Sequence, residues 1–223
     1  MDFSPFILSF KLASLTALIL FTVSLPLAWY LSQTKSKMKP LLEAVTALPI
    51  VLPPSVLGFY ILWAFSANSP LGTFFEETFG IQLVFSFTGL VVASCFYSLP
   101  FMVQPLQSGF ESLNKNMLEA SYIAGKSKLQ TIIFVALPNM KPALTTAIII
   151  TFAHTVGEFG VVLMVGGSIP NETKVASVAI YEMVEMMDYS MAHIYSALMI
   201  GLSFLILLTV YIFNARHNKR FGV

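Results

Sequence analysis

Thr151, His154, Thr155 and Glu158 follow one another at three- and four-residue steps, and Glu158 is the only formal charge between Lys141 and Glu172. On a helix, that spacing draws a single polar stripe along an apolar surface. A carboxylate deep in a bilayer costs about 2.5–3.5 kcal/mol, so such a stripe has to face protein or water. Two chemistries fit. The hydroxyls, imidazole and carboxylate can line or gate a passage, or Glu158 can serve structure, pairing with a neighbouring helix or capping a break at Gly157 and Gly160. His154 adds the expectation of a pH-sensitive site. The three histidines are scattered and Cys95 is the single cysteine, so neither a metal site nor an internal disulfide is expected. No nucleophile–base cluster accompanies them, and no catalytic residue is assigned.

The elements that must hold this stripe are written in the composition. The chain has 223 residues, 57% hydrophobic and 10% charged, against about a quarter charged in a soluble domain. Its uncharged runs each hold about the 20 residues that a bilayer-crossing helix needs. The expected fold is an all-α membrane protein, one domain over 1–223, with spans near 7–31, 45–66, 84–107, 142–165 and 193–213. The segment before the first span, "MDFSPF", is acidic, and no small-residue cleavage signal follows Leu31, so this segment is read as a retained span. Pro49, Pro53 and Pro54 cluster in the second span and Pro100 and Pro105 end the third. Missing amides there bend or break helices, which a membrane tolerates beside protein or a wet cavity.

Charge sets the orientation. Lys35, Lys37 and Lys39 follow the first span. Lys115, Lys126, Lys128 and Lys141 sit in the long 108–141 connection, and Arg216, Lys219 and Arg220 in the tail. Five spans put all of these on one side. The other side carries Glu76, Glu77, Glu172, Glu182, Glu185 and Asp188 against Lys174, with Lys11 free to reach outward. The positive-inside rule then puts the N-terminus outside, and the 108–141 connection and C-terminus in the cytoplasm.

That connection contains "EASYIAGKSKLQTIIFVALP", Glu119 to Pro138. Leu118, Tyr122, Leu129, Ile132 and Ile133 recur roughly on one face, Gly125 interrupts them, and Pro138 closes the second piece. The pattern predicts a helix–turn–helix over about 111–138, lying along the membrane surface. "GKS" is no phosphate loop, because Ala120 stands where a Walker loop needs glycine.

Glu119-Ala120-Ser121, then Gly125, then Val135-x-Leu137-Pro138, resembles the EAA loop of ABC importer permeases, with Ser121 in place of the usual alanine. The resemblance implies a type I importer permease core. In it Glu119, Ala120, Ser121, Gly125, Leu137 and Pro138 form a coupling helix pair that docks on a separate cytoplasmic ATPase subunit, the partner that binds ATP and Mg. No cofactor is expected in this chain. "LPIVLPPSVLGFYIL" (48–62), "SPLG" (69–72) and "GEFGVVLMVGGSIPNETK" (157–174) narrow the likeness to molybdate permeases, with tungstate and sulfate permeases as near relatives. The implied function is a molybdate importer permease in a bacterial or archaeal cell membrane, working as a homodimer with an extracytoplasmic molybdate-binding protein received by loops 67–82 and 166–190. Lipid surrounds it, and no nucleic-acid partner is expected. A passive or ion-coupled anion carrier is the rival class; it would not need the hairpin, and it would more often show internal repeats, of which there are none. By the same resemblance the stripe would face the dimer axis. Because a carboxylate repels a dianion, Glu158 is a poor direct contact, and His154 stands where relatives commonly carry arginine.

Overall fold

Two long helices form the axis of the molecule, and their small residues let them approach. The computed structural model describes residues 2–221, with side chains described through 212 apart from 210. The regular elements among the described residues are all helical. Helix α1 (Ser4–Gln33) starts with Pro5, whose missing amide costs nothing in a first turn, and runs straight through Pro26. Its buried Ala13, Thr16, Ala17, Ser24 and Ala28 bring it close to its neighbours.

Helices α2 (Lys39–Val51) and α3 (Pro54–Phe65) cover the expected second span but are bent by 109°. The break falls at Leu52 and Pro53, which are extended with ψ 134° and 136°. Two consecutive prolines remove adjacent amides and force the residue before them out of the helical region. Pro49, expected at the break, instead lies buried within the end of α2. The chain continues through α4 (Pro70–Phe79), which begins where Ser69 Oγ accepts the Gly72 amide at 2.9 Å. Helix α5 (Phe87–Glu111) then packs along α1. The bend expected at Pro100 and Pro105 does not become a break. The helix continues past both, locked by Met102, Val103, Leu106 and Phe110, each at most 1% exposed.

Three short helices follow, α6 (Lys115–Ile123), α7 (Lys128–Thr131) and α8 (Leu137–Asn139), the last two joined by a π-helical turn at Ile132–Ala136. The chain then turns by 83° into α9 (Lys141–Val156). Residues 157–159 leave the helix before α10 (Gly160–Gly166), so the expected fourth span is broken. Helix α11 (Ala176–Glu185) occupies what the sequence suggests as a loop, and α12 (Tyr189–Phe221) ends the chain. The side chains of the basic tail, Arg216, Lys219 and Arg220, lie outside the described residues. Helices α1, α5 and α12 are each long and apolar enough to cross a bilayer, and the two bent pairs, α2–α3 and Lys128–Asn139 with α9, raise the count to as many as five.

The core has two ends. At one, Leu20, Ala28, Met102, Leu106, Phe110, Leu118, Ala136 and Met140 join α1, α5 and the 115–140 hairpin. At the other, Leu8, Leu12, Leu90, Val91 and Val162 pack with Val175 and Val178 of the α11 region. Most of α12, by contrast, leaves its apolar surface uncovered.

Candidate functional site

The two interrupted helix pairs meet. A Cβ added at Gly160 would lie 2.7 Å from Cβ of Pro54, so only glycine lets the start of α10 sit against the start of α3. Around this contact is a recess of about 490 Å³ lined by Pro54, Tyr97, Ala153, His154, Gly157, Glu158, Phe159 and Gly160. Three residues that the sequence marks as helix breaks, Pro54, Gly157 and Gly160, therefore come together.

The stripe on α9 divides. His154 and Glu158 line the recess, whereas Thr151 and Thr155 are buried, Thr155 bonding to Ser98 of α5. The Thr155 hydroxyl donates to the Thr151 carbonyl at 2.9 Å. With that proton committed, Ser98 Oγ donates to Thr155 Oγ1 over 3.0 Å, and Nδ1–H of His154 donates to Ser98 Oγ over 3.1 Å. Nε2 has no hydrogen-bond partner among the described residues. The imidazole stacks on Phe101 with centroids 3.9 Å apart, and Tyr97 flanks it at 4.8 Å. An aromatic slot and a hydroxyl relay thus fix the ring.

Glu158 lies beyond the end of α9 and is 4% exposed. Neither carboxylate oxygen has a hydrogen-bond partner among the described residues, so the pairing expected with a neighbouring helix is not formed among them. The Ser94 hydroxyl approaches the carboxylate without reaching hydrogen-bond geometry. The backbone of Glu158, in contrast, is held: its carbonyl accepts the Ser177 hydroxyl at 2.6 Å.

The hairpin is a second assembly. Helix α6 begins where Asn114 Oδ1 accepts the Asn116 amide at 2.9 Å. It ends in a left-handed Gly125, φ +78°, with the Gly125 amide on the Tyr122 carbonyl at 2.9 Å and the Lys126 amide on the Ser121 carbonyl at 3.1 Å. This paired closure of a helix C-terminus favours glycine at the left-handed position. Helix α7 opens with reciprocal bonds between Ser127 and Gln130. The two arms are joined by the buried hydroxyls of Ser121 and Thr131, 2.9 Å apart, which gives the serine at this place a job an alanine could not do. Glu119, Ala120 and Pro138 are exposed, and Leu137 is half-buried. Pro138 lies within the last short helix, two residues before the turn at Met140.

Of the apolar face expected on the hairpin, Leu118 enters the core, while Tyr122, Leu129 and Ile133 are exposed, joined by Phe134 and by Ile123 at 88%. Beside this face a recess of about 520 Å³ opens between the end of α1 and α6, lined by Thr34, Lys35, Glu111, Lys115, Glu119 and Tyr122 among others.

Sequence reasoning missed Tyr97, Ser98, Phe101, Thr131 and Ser177. Ser127-x-x-Gln130 was readable as a helix start. The others had no local signal, because each acts across the bundle.

Broken apolar helices meet at a polar recess, with an apolar-tipped hairpin at one end, in an all-α, multi-pass membrane fold. Residues 21–223 match the model for the binding-protein-dependent transport system inner membrane component, and the chain belongs to that family. It is 46% identical over 210 residues to the molybdenum transport system permease protein ModB of Azotobacter vinelandii, covering 94% of this chain and 93% of that one. It is 31% identical over 194 residues to the sulfate transport system permease protein CysT of Salmonella typhimurium, covering 87% and 70%. Among solved structures, the MetNI methionine ABC transporter in inward-facing conformations aligns with a TM-score of 0.73 at 16% identity, covering 94% of this chain and 92% of that one. A bacterial ABC transporter importing alginate aligns with a TM-score of 0.78 at 16% identity, covering 96% and 78%. These two show the fold. The chain is the transmembrane permease of an ABC-type importer of the inner membrane, and it works with a separate ATPase and a periplasmic binding protein.

Proposed function

We propose that this permease imports molybdate, with tungstate as a close competitor, and that two copies form the path between them. The recess at the meeting of the helix breaks carries this reading. There the start of α3, at the break made by Pro53 and Pro54, lies beside Glu158, unpartnered among the described residues, and the fixed His154. Such groups are tolerated at membrane depth only against protein or water, and a second copy with a wet path between them supplies both. Among the described residues, no lysine or arginine lines the recess. The path therefore lets an oxyanion through without trapping it, and selection falls to an external molybdate-binding protein. The greater similarity to a molybdenum permease than to a sulfate permease supports the substrate.

The hairpin is the ATPase seat in this reading, with Glu119, Ala120, Ser121, Gly125, Leu137 and Pro138 as the coupling set. The N-terminus faces outward and the hairpin and C-terminus face the cytoplasm. ATP-driven uptake into vesicles holding permease, ATPase and binding protein tests it. Labelled molybdate should enter, unlabelled tungstate should compete, and sulfate should not. Sulfate uptake that survives excess molybdate overturns the substrate.

A further inference from the structure

We propose that Ser177 and Tyr181 of α11 are positioning residues that latch the 157–159 linker and so hold Glu158 in place at the recess; the proposal rests on reading that recess as the path.

The linker is not held by helix geometry, since α9 has ended at Val156 and α10 has yet to begin. On one side it abuts α3, where Gly160 meets Pro54. On the other, it is held by α11. The Ser177 hydroxyl donates to the Glu158 carbonyl at 2.6 Å, and the Phe159 ring packs on Tyr181 with centroids 5.0 Å apart.

Helix α11 has its own anchors, independent of the linker. The Ala176 amide donates to Ser9 Oγ of α1 at 2.9 Å, and Lys174 pairs with Glu182. Just before it, the Thr173 hydroxyl donates to the Gly166 carbonyl at 2.7 Å. The helix is thus a bracket fixed to α1 and to the end of α10, touching the linker through one hydroxyl and one ring.

The bracket can be reached from outside the bundle. Tyr181 is partly exposed, and its hydroxyl donates to the exposed Glu185 at 2.5 Å. The start of α11 stands at the end of the bundle away from the hairpin, where Val175 and Val178 pack with Leu8 and Leu12 of α1. Moving α11 would pull the linker through both contacts and turn Glu158, whose unpartnered carboxylate offers no resistance of its own. One end of the permease then carries the ATPase seat and the other carries the latch.

The test reads linker exposure directly, in the permease–ATPase complex in lipid. Gly157→Cys in a Cys95→Ser background gives a probe, and the added Cβ meets nothing closer than the Ala153 carbonyl at 3.7 Å. Its rate of modification by a water-soluble maleimide should rise about fivefold with Ser177→Ala, the shift expected for losing one net hydrogen bond. Ser177→Thr, which keeps the hydroxyl, should restore the parent rate, and Tyr181→Ala should raise it as Ser177→Ala does. Thr22→Ala, which removes a hydroxyl bonded to the Ile19 carbonyl within α1 and away from the linker, should leave the rate unchanged. Equal rates in the parent and Ser177→Ala, or equal rates in Ser177→Ala and Ser177→Thr, overturn the latch. If the rates shift as expected but molybdate is not taken up, the substrate reading fails and the latch stands.

Discussion

Two carboxylates show how much a side chain's surroundings decide. Glu158 is buried with no hydrogen bond to either oxygen, an arrangement that costs stability unless function needs it. Glu158→Gln, which removes the charge but keeps a buried polar group, should leave the purified permease at least as stable as the parent while lowering transport, which thermal unfolding and uptake assays measure together. Glu182 is the opposite case. Partial burial pushes its carboxyl up, but the bond and charge from Lys174 outweigh that and hold it below the usual carboxylate range. A lowered folded value means that the pair stabilises above the unfolded carboxylate value and is lost as pH falls through the folded one. The stability difference between the parent and Glu182→Gln should accordingly be about 1 kcal/mol or less at neutral pH and vanish on acidification, as thermal scans at several pH values will read.

At the scale of elements, the hairpin depends on one backbone conformation. The left-handed Gly125 lets α6 close on itself and α7 begin three residues later. A Cβ would find open space there, so the penalty of substitution is conformational rather than steric. Gly125→Leu should cost about 1–2 kcal/mol locally, leave membrane insertion intact, and uncouple ATP hydrolysis from uptake. Unchanged uptake per ATP would count against the coupling role. This turn was legible in the sequence, since glycine interrupted the apolar pattern where the helix had to stop. The run of α5 through Pro100 and Pro105 was not, because the contacts that hold it come from α1 and α9.

For the whole molecule, orientation follows from where the lysines fall. A cysteine placed at Ser127 in a Cys95→Ser background should be labelled from the cytoplasmic side, and one at Thr78 from outside. The reverse pattern would invert the topology. The hairpin and α11 lie at opposite ends of α1.

Apolar run lengths and the placing of proline and glycine were enough to determine a multi-pass helical bundle with a structured hairpin, and they marked interruptions in three spans, of which the second and fourth are broken. These are local properties, because hydrocarbon thickness and missing amides act on a segment wherever it packs. What the sequence could not decide was which interruptions would meet, or that Thr151 and Thr155 would turn into the bundle while His154 and Glu158 lined the recess. Nor could it show that α11 would hold the linker. Those outcomes came from contacts between residues far apart in the chain, Gly160 against Pro54, Ser98 against His154 and Ser177 against Glu158, which only close packing in three dimensions selects.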